Sequence, residues 1–424
     1  MAERTRQGGL TRRAYLAGAA SVPLAAGAAA SAQASQESPA QAPGGVLPAR
    51  DAFPDIDGVY LNSGSVHPVS AGARQAVDTY LRSRSMSGEP AGYSLGAKRR
   101  SVLERYARLI NAEPSEVAYV TSTSAGEQLA VKALGIPGTG GRIVTDALHF
   151  FGSFHLYNEL ERAGMDVVII RPRDDYRIHL EDMAAAMTRD TRLVAVSAVS
   201  TINGFQHDLG AVTEMAHAYG ASVYVDAVHA VGAVPVDVKA TGVDFLAGSS
   251  FKWMMGDMGL GFAYVRGDLI PELQRPWAGY HQLAAFQSHV YPYDEPGEQA
   301  FETGARDDAT GLFAMGTFSN TGVAHLDWSL DYLARLGVET IQAHRQPIIE
   351  KARREMPALG FEPLTPEDST GPLISWARQH ARRDLHDRLE RAGVAVSLSR
   401  HRLRISPSVF NTEADIDRVL EALA

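Results

Sequence analysis

Not one of the 424 residues is a cysteine. The chain can form no disulfide of its own, offer no thiolate to a metal or cluster, and use no thiol as a nucleophile. Glycine and proline, 39 and 21 residues, are too few for a collagen-like or proline-rich chain. Basic charge is also short: 40 Lys and Arg stand against 49 Asp and Glu, a net of −9, so nucleic acid is not an expected partner. What remains, 45% apolar and 21% charged, is ordinary globular usage. At about 150 residues per domain, the length allows two or three domains.

The first 34 residues stand apart from that composition. Arg4, Arg6, Arg12 and Arg13 face a single acid, Glu3, and precede a weakly apolar Ala/Gly run from Ala14 to Ala30 that ends in Ala32-Gln33-Ala34. This pattern reads as a signal peptide. The pair Arg12-Arg13, after Thr11 and before Tyr15-Leu16, resembles a twin-arginine export signal, which implies the twin-arginine machinery as a partner and a periplasmic or secreted product. The run is too short and too rich in Ala and Gly to anchor stably in a bilayer. Residues 35–49, rich in Pro, Gln, Ala and Ser, read as a flexible linker. An N-terminal segment over 50–70, a large domain over 71–320 and a small C-terminal domain over 321–424 are expected beyond it.

Helical spacing of apolar residues predicts helices from Ala71 to Arg82 and from Gly96 to Ile110. Short β-branched runs then alternate with helical windows: 117–121, 143–145, 167–170, 193–197 and 222–226. Doubly apolar strands separated by helices predict an α/β fold, a mostly parallel sheet covered on both faces. The runs 244–248 and 261–265 are too close for a helical crossover, so one of them is expected to be antiparallel. From Pro271 to Phe318 the pattern is irregular, and long irregular stretches are usually functional. Helices from Gly322 to Leu336, Ile348 to Met356 and Leu385 to Ala392, with strands at 373–376 and 403–406, predict a second, α+β domain.

The chemistry concentrates at the ends of those strands. Asp226 closes one strand, His229 follows it, and Lys252 lies just beyond another. In open α/β sheets ligands bind at the carboxyl ends of strands. Pyridoxal phosphate (PLP) needs such a pair: a lysine amine to hold it covalently and a carboxylate to keep its ring nitrogen protonated. Thr-Ser-Thr-Ser-Ala-Gly-Glu, from Thr121 to Glu127, lies between a strand and a helix and offers hydroxyls and small-residue amides to an anion. No G-x-G-x-x-G follows the first strand, which speaks against a Rossmann dehydrogenase.

Three strings together, Asp226-Ala227-Val228-His229, Asp244-Phe245-Leu246-Ala247-Gly248-Ser249-Ser250-Phe251-Lys252 and Gly256-Asp257-Met258-Gly259-Leu260-Gly261, resemble the class V aminotransferase family. The resemblance runs from about Tyr60 to the C-terminus. It implies fold type I, with a mostly parallel seven-stranded sheet sandwiched by helices, and PLP as the cofactor. By that resemblance Lys252 holds the cofactor, Asp226 pairs with its ring nitrogen and His229 reaches the ring hydroxyl. His149 matches the residue that stacks on the ring, with Phe150 as the second candidate. Ser124, Ala125, Gly126 and Ser249 match the phosphate cup, although Gly126 replaces a frequent threonine. Thr201 and Asn203 compete for a position near the ring. Thr317 matches a residue that reaches the phosphate of a neighbouring subunit, implying a homodimer, whereas the similar string Phe301-Glu302-Thr303-Gly304 is misplaced for that role. Arg404 resembles the clamp for a substrate carboxylate, and Trp277, Tyr280 and His281 are candidates for lining the pocket or packing an interface.

The expected activity is that of an exported PLP-dependent aminotransferase acting on an amino substrate with a carboxylate. A lyase or epimerase of the same family, one that modifies a siderophore side chain among them, is the alternative, and an exported binding protein is the rival from another class. A cysteine desulfurase is excluded on this reading, since the chain has no thiolate to receive sulfur.

Overall fold

A computed structural model describes residues 46–85 and 93–424. Residues 1–45, on which the expected export signal and most of the expected linker fall, lie outside the described residues.

Seven strands form the central sheet: β1 (Val117–Val120), β2 (Arg142–Asp146), β3 (Asp166–Ile170), β4 (Thr191–Ser197), β5 (Ser222–Asp226), β6 (Phe245–Ser249) and β7 (Gly261–Val265). Their spatial order is β1-β7-β6-β5-β4-β2-β3. β7 runs antiparallel to both β1 and β6, while the pairs from β6 through β3 are parallel. The expected α/β architecture is present, with β7 as the antiparallel member that the short connection from β6 requires.

Period-two alternation sends successive side chains of each strand to opposite faces. On β4, Val194 and Val196 enter one buried cluster while Leu193 and Ala195 enter the other, and on β5 Val223 and Val225 are separated from Tyr224 in the same way. Both faces are thus dry, which is why these strands are apolar throughout rather than alternating. Helices Ala71–Arg84 and Leu95–Leu109 occupy the windows read from spacing.

A third buried cluster is built on the four-stranded sheet that contains Ile374–Ala377 and Arg402–Ile405. Val59 and Leu61 join it, because Val59–Tyr60 pairs in parallel with Val394–Ala395. The N-terminal segment therefore packs on the C-terminal part of the fold. Helix Asn320–Leu336 goes the other way: Val323, Leu326, Leu330, Leu333 and Leu336 sit in a core of the large sheet. Gly337, with a φ of 79°, ends that helix before Val338–Glu355 begins, and within this next helix Ile341 still packs in the large-sheet core while Ile348, Ile349 and Ala352 join the small-domain cluster.

The stretch from Pro271 to Phe318 is less irregular than its sequence suggests. Leu283–Ser288 and Phe301–Ala305 form an antiparallel hairpin, followed by a short helix, Ala309–Phe313. Most hairpin residues are exposed, so neither face carries the apolar alternation that reveals a strand. The string Phe301-Glu302-Thr303-Gly304 is one of its strands.

Candidate active site

β5 and β6 lie side by side and parallel, with Asp226 paired to Ala247, so their carboxyl ends open onto the same edge of the sheet. Asp226 closes β5 fully buried, and one carboxylate oxygen accepts the Val228 N–H at 2.9 Å. Burial pushes its carboxyl above the usual range, partly offset by the charges of His149 and Lys252. Lys252 follows β6 by three residues. Burial lowers its ammonium to about 8, with Asp226 pulling it up and Arg404 pushing it down. The amine and the carboxylate are thus near enough to shift each other's ionisation. Lys252 Nζ lies 3.0 Å from His229 Nε2, and the other ring nitrogen of His229 accepts Trp253 Nε1–H at 3.2 Å. Burial, with the charges of Lys252 and Arg404, holds His229 well below the ordinary histidine range.

Helix Thr123–Ala133 starts beside this edge, capped by Ser122, whose hydroxyl accepts the Ala125 N–H at 3.1 Å. Thr123 and Ser249 form a reciprocal latch, Ser249 N–H to Thr123 Oγ1 and Thr123 N–H to Ser249 Oγ, both at 2.9 Å. Ser249 therefore ties the end of β6 to the helix start and sets where Lys252 leaves the sheet. Ser124 and Ala125 lie in the exposed to half-buried first turn, where a helix N-terminus favours an anion. Gly126 is buried, and a Cβ there would stand 2.5 Å from Ala247 Cβ. The helix packs too closely on β6 for the threonine frequent at this position.

From the small domain, Arg404 enters on strand Arg402–Ile405 with 4% of its surface exposed. Its Nη1 donates to Thr201 Oγ1 at 2.7 Å and to the Thr201 carbonyl at 3.0 Å, and its Nη2 donates to Ser65 Oγ at 2.8 Å. Nε is buried without a partner. Burial, and then Arg402, lower its guanidinium to about 10. Of the competing pair, Thr201 is at Arg404, whereas Asn203 points away: its amide donates to the carbonyls of Tyr176 and Leu364. Ser65 carries no motif in the sequence, and only the crossing of the N-terminal segment to this domain delivers it.

His149 differs from its expected role. None of its surface is exposed, and both ring nitrogens are engaged, Nδ1 with Ser197 Oγ at 2.9 Å and Nε2 with Glu127 Oε1 at 3.0 Å. It has no open face on which a cofactor ring could stack. Its neighbour Phe150 is half-buried and packs against the exposed Phe151. Glu127 also accepts the hydroxyls of Ser153 and Tyr157. Burial would raise its carboxyl, but His149 and the two hydroxyls outweigh burial and hold it low. Burial would lower His149, but Glu127 outweighs it and raises the imidazolium.

The aromatic candidates gather around the turn before helix Asn320–Leu336. Trp277, 39% exposed, donates to the Ala314 carbonyl at 3.2 Å. Tyr280, 67% exposed, lies 4.2 Å from the ring of His281, which in turn lies 5.4 Å from Phe318. Thr317 is exposed beside them.

An amine held near neutrality, a buried carboxylate near it, a buried guanidinium with an unpartnered Nε and an adjoining helix N-terminus form a donor set that fits PLP. The comparisons agree. A family model described as aminotransferase class-V matches residues 75–419. A cysteine desulfurase of Klebsiella pneumoniae is 27% identical over 347 residues, covering 77% of this chain and 82% of that one. The cysteine desulfurase CsdA from Escherichia coli superposes with a TM-score of 0.78 at 20% identity, covering 89% of this chain and 98% of that one. The cystine C–S lyase C-DES, solved with its reaction product cysteine persulfide, superposes at 0.75 and 18% identity, covering 88% and 98%. A variant of C-DES holds glycine covalently linked to the PLP cofactor.

These relatives correct two expectations, that of an exported aminotransferase and the exclusion of cysteine desulfuration. The exclusion rested on a missing thiol. A thiol is required only where it attacks the substrate sulfur and takes it onto the protein. Cleavage in which the sulfur leaves from the β-carbon with the bonding electrons needs a base, a carboxylate clamp and an electron sink, none of which is a cysteine.

Proposed function

The chain belongs to the aminotransferase class-V family, and we propose that it is a PLP-dependent enzyme that breaks the carbon–sulfur bond of a sulfur-bearing amino acid. The observation that carries this reading is the convergence of Lys252, Asp226 and Arg404 on one sheet edge. The substrate class is supported by relatives named cysteine desulfurase and C–S lyase.

PLP, when bound, supplies a sink for the electrons of a bond broken at the α-carbon. Asp226 offers the ring nitrogen a fixed negative partner. Arg404, steadied by Thr201 and Ser65, presents a planar fork to the substrate carboxylate and so fixes the α-carbon beside Lys252. Lys252 Nζ, with an ammonium near about 8, is free amine often enough near neutral pH to take the α-proton. With no cysteine in the chain to take it, the sulfur leaves with the electrons of the broken carbon–sulfur bond, as sulfide from cysteine or as a persulfide from cystine.

The test is to load the protein with PLP, supply L-cysteine and L-cystine separately, and assay sulfide, persulfide, alanine and pyruvate. Cleavage of either substrate is expected, together with loss of the visible absorbance of bound PLP in Lys252→Ala. A loaded protein that releases no sulfur from either substrate overturns the reading. Residues 1–34 support export by the twin-arginine route, which Arg12→Lys with Arg13→Lys should abolish in a fractionation assay. Exposed Thr317 supports a homodimer with a shared site. Thr317→Ala should then weaken PLP retention.

A further inference from the structure

Beside Lys252 the chain holds a group that the chemistry above does not use. Trp253 is 2% exposed, and its indole N–H, which can only donate, points at Nδ1 of His229 at 3.2 Å. Nδ1 must therefore be the accepting nitrogen. A neutral imidazole carries one proton, so that proton sits on Nε2, the nitrogen 3.0 Å from Lys252 Nζ. An N–H aimed at Nζ can be accepted only by the lone pair of a free amine. It opposes an ammonium, which has no lone pair to offer.

The charged groups around this pair act in the same direction or against it in identifiable ways. Arg345, from helix Val338–Glu355, is fully buried and places its guanidinium 5.5 Å from the Trp253 ring. Its Nη2 donates to the Ala233 carbonyl at 2.8 Å, while Nε and Nη1 have no partner. That cation rests over the face of the indole that donates to His229. Arg404 and Lys252 oppose a positive charge on His229. Asp226 favours the ammonium on Lys252, and so does the Phe251 ring, whose centroid lies 5.7 Å from Nζ.

We propose that Trp253 is a positioning residue that fixes His229 with its proton on Nε2, and that this tautomer disfavours the ammonium on Lys252 and so makes the free amine more available to take a carbonyl or a proton. Without the indole N–H the imidazole is free to move its proton to Nδ1. Nε2 then accepts from an ammonium, and the ionised form of Lys252 is stabilised. The inference rests on the role of Lys252 proposed above and is independent of the substrate.

Trp253→Phe keeps an aromatic face for Arg345 and removes the donor, together with the volume of one ring. Two measurements on the full chain without cofactor test it: the ¹⁵N–¹H spectrum of histidine-labelled protein, and the pH midpoint for acylation of Lys252, followed by mass spectrometry. The unsubstituted protein should show His229 protonated at Nε2. In Trp253→Phe the acylation midpoint should rise by about one pH unit, about tenfold less free amine at a given lower pH. An Nδ1–H signal for His229 in the unsubstituted protein overturns the proposal, whether or not the variant folds. A folded variant with an unchanged midpoint also overturns it. Should PLP fail to attach at Lys252 at all, the proposed function falls while the tautomer measurement stands, so the two failures are distinguishable.

Discussion

His149 and His229 are both closed to solvent, 0% and 1% exposed, yet they are driven in opposite directions. His149 sits against the Glu127 carboxylate and is pushed toward the imidazolium. His229 sits among an indole donor, a lysine and a distant guanidinium and is pushed far toward the neutral ring. Burial opposes charge in both, so it cannot be what separates them. The partners decide: a carboxylate with two hydroxyls in the first case, donors and cations in the second. One edge of the sheet thus holds a charged, fully partnered network behind the cofactor site and a neutral, polarised one inside it.

The comparison breaks most severely if the carboxylate is removed. Glu127→Ala leaves a buried imidazole and the hydroxyls of Ser153 and Tyr157 without their acceptor. Stability should fall by about 3–5 kcal/mol in urea unfolding at neutral pH. A loss below about 1 kcal/mol would mean that the network is not ionised as described.

His67 sharpens the neutral side of the comparison. It is buried between the Pro68 carbonyl at 2.9 Å and Ser408 Oγ at 2.7 Å, and burial lowers it to about 4. A group whose folded pKa lies below its unfolded value near 6.5 gains protons preferentially on unfolding. Its share of stability is therefore complete above about pH 6.5, falls as the pH drops toward 4 and changes no further below that. The loss from this residue should be roughly 3 kcal/mol between pH 7 and 4. It should appear as the difference between the pH–stability curves of the unsubstituted protein and His67→Gln, and parallel curves would refute it.

The smallest effect is expected at Arg345. Its guanidinium is buried with two nitrogens unpartnered, and burial lowers it to about 9. Replacing such a charge with a well-packed apolar chain is commonly neutral or stabilising. Arg345→Met should change the unfolding free energy by between none and a gain of about 2 kcal/mol. A loss larger than this would show that the contact with Trp253 outweighs desolvation.

Much of the site was legible from order along the chain. Asp226, Lys252 and the Thr121–Glu127 turn follow strands whose apolar runs identify them, and strand ends are where an open parallel sheet binds its ligands. Arg404 was legible through its resemblance to a family pattern and Thr201 as one of two competing site residues, but their contact with each other and the part of Ser65 were not: three separate segments meet there. Trp253 and Arg345 were invisible as functional residues, because an apolar aromatic beside a lysine and an arginine in an amphipathic helix look ordinary until they are stacked. The open stacking face expected of His149 was lost to Glu127, whose position one turn into a helix gives no hint of a partner 22 residues later.

The sequence by itself determined the layered fold and the kind of chemistry available, because apolar periodicity selects which faces are buried and residue type sets which groups can ionise or hold a cofactor. It also determined that sulfur has no cysteine of this chain to settle on. Only the tertiary structure decided which histidine is pushed toward its charged form and which toward its neutral one. A protonation state depends on donors, acceptors and charges within a few ångströms, and those neighbours come from segments that the chain order keeps far apart.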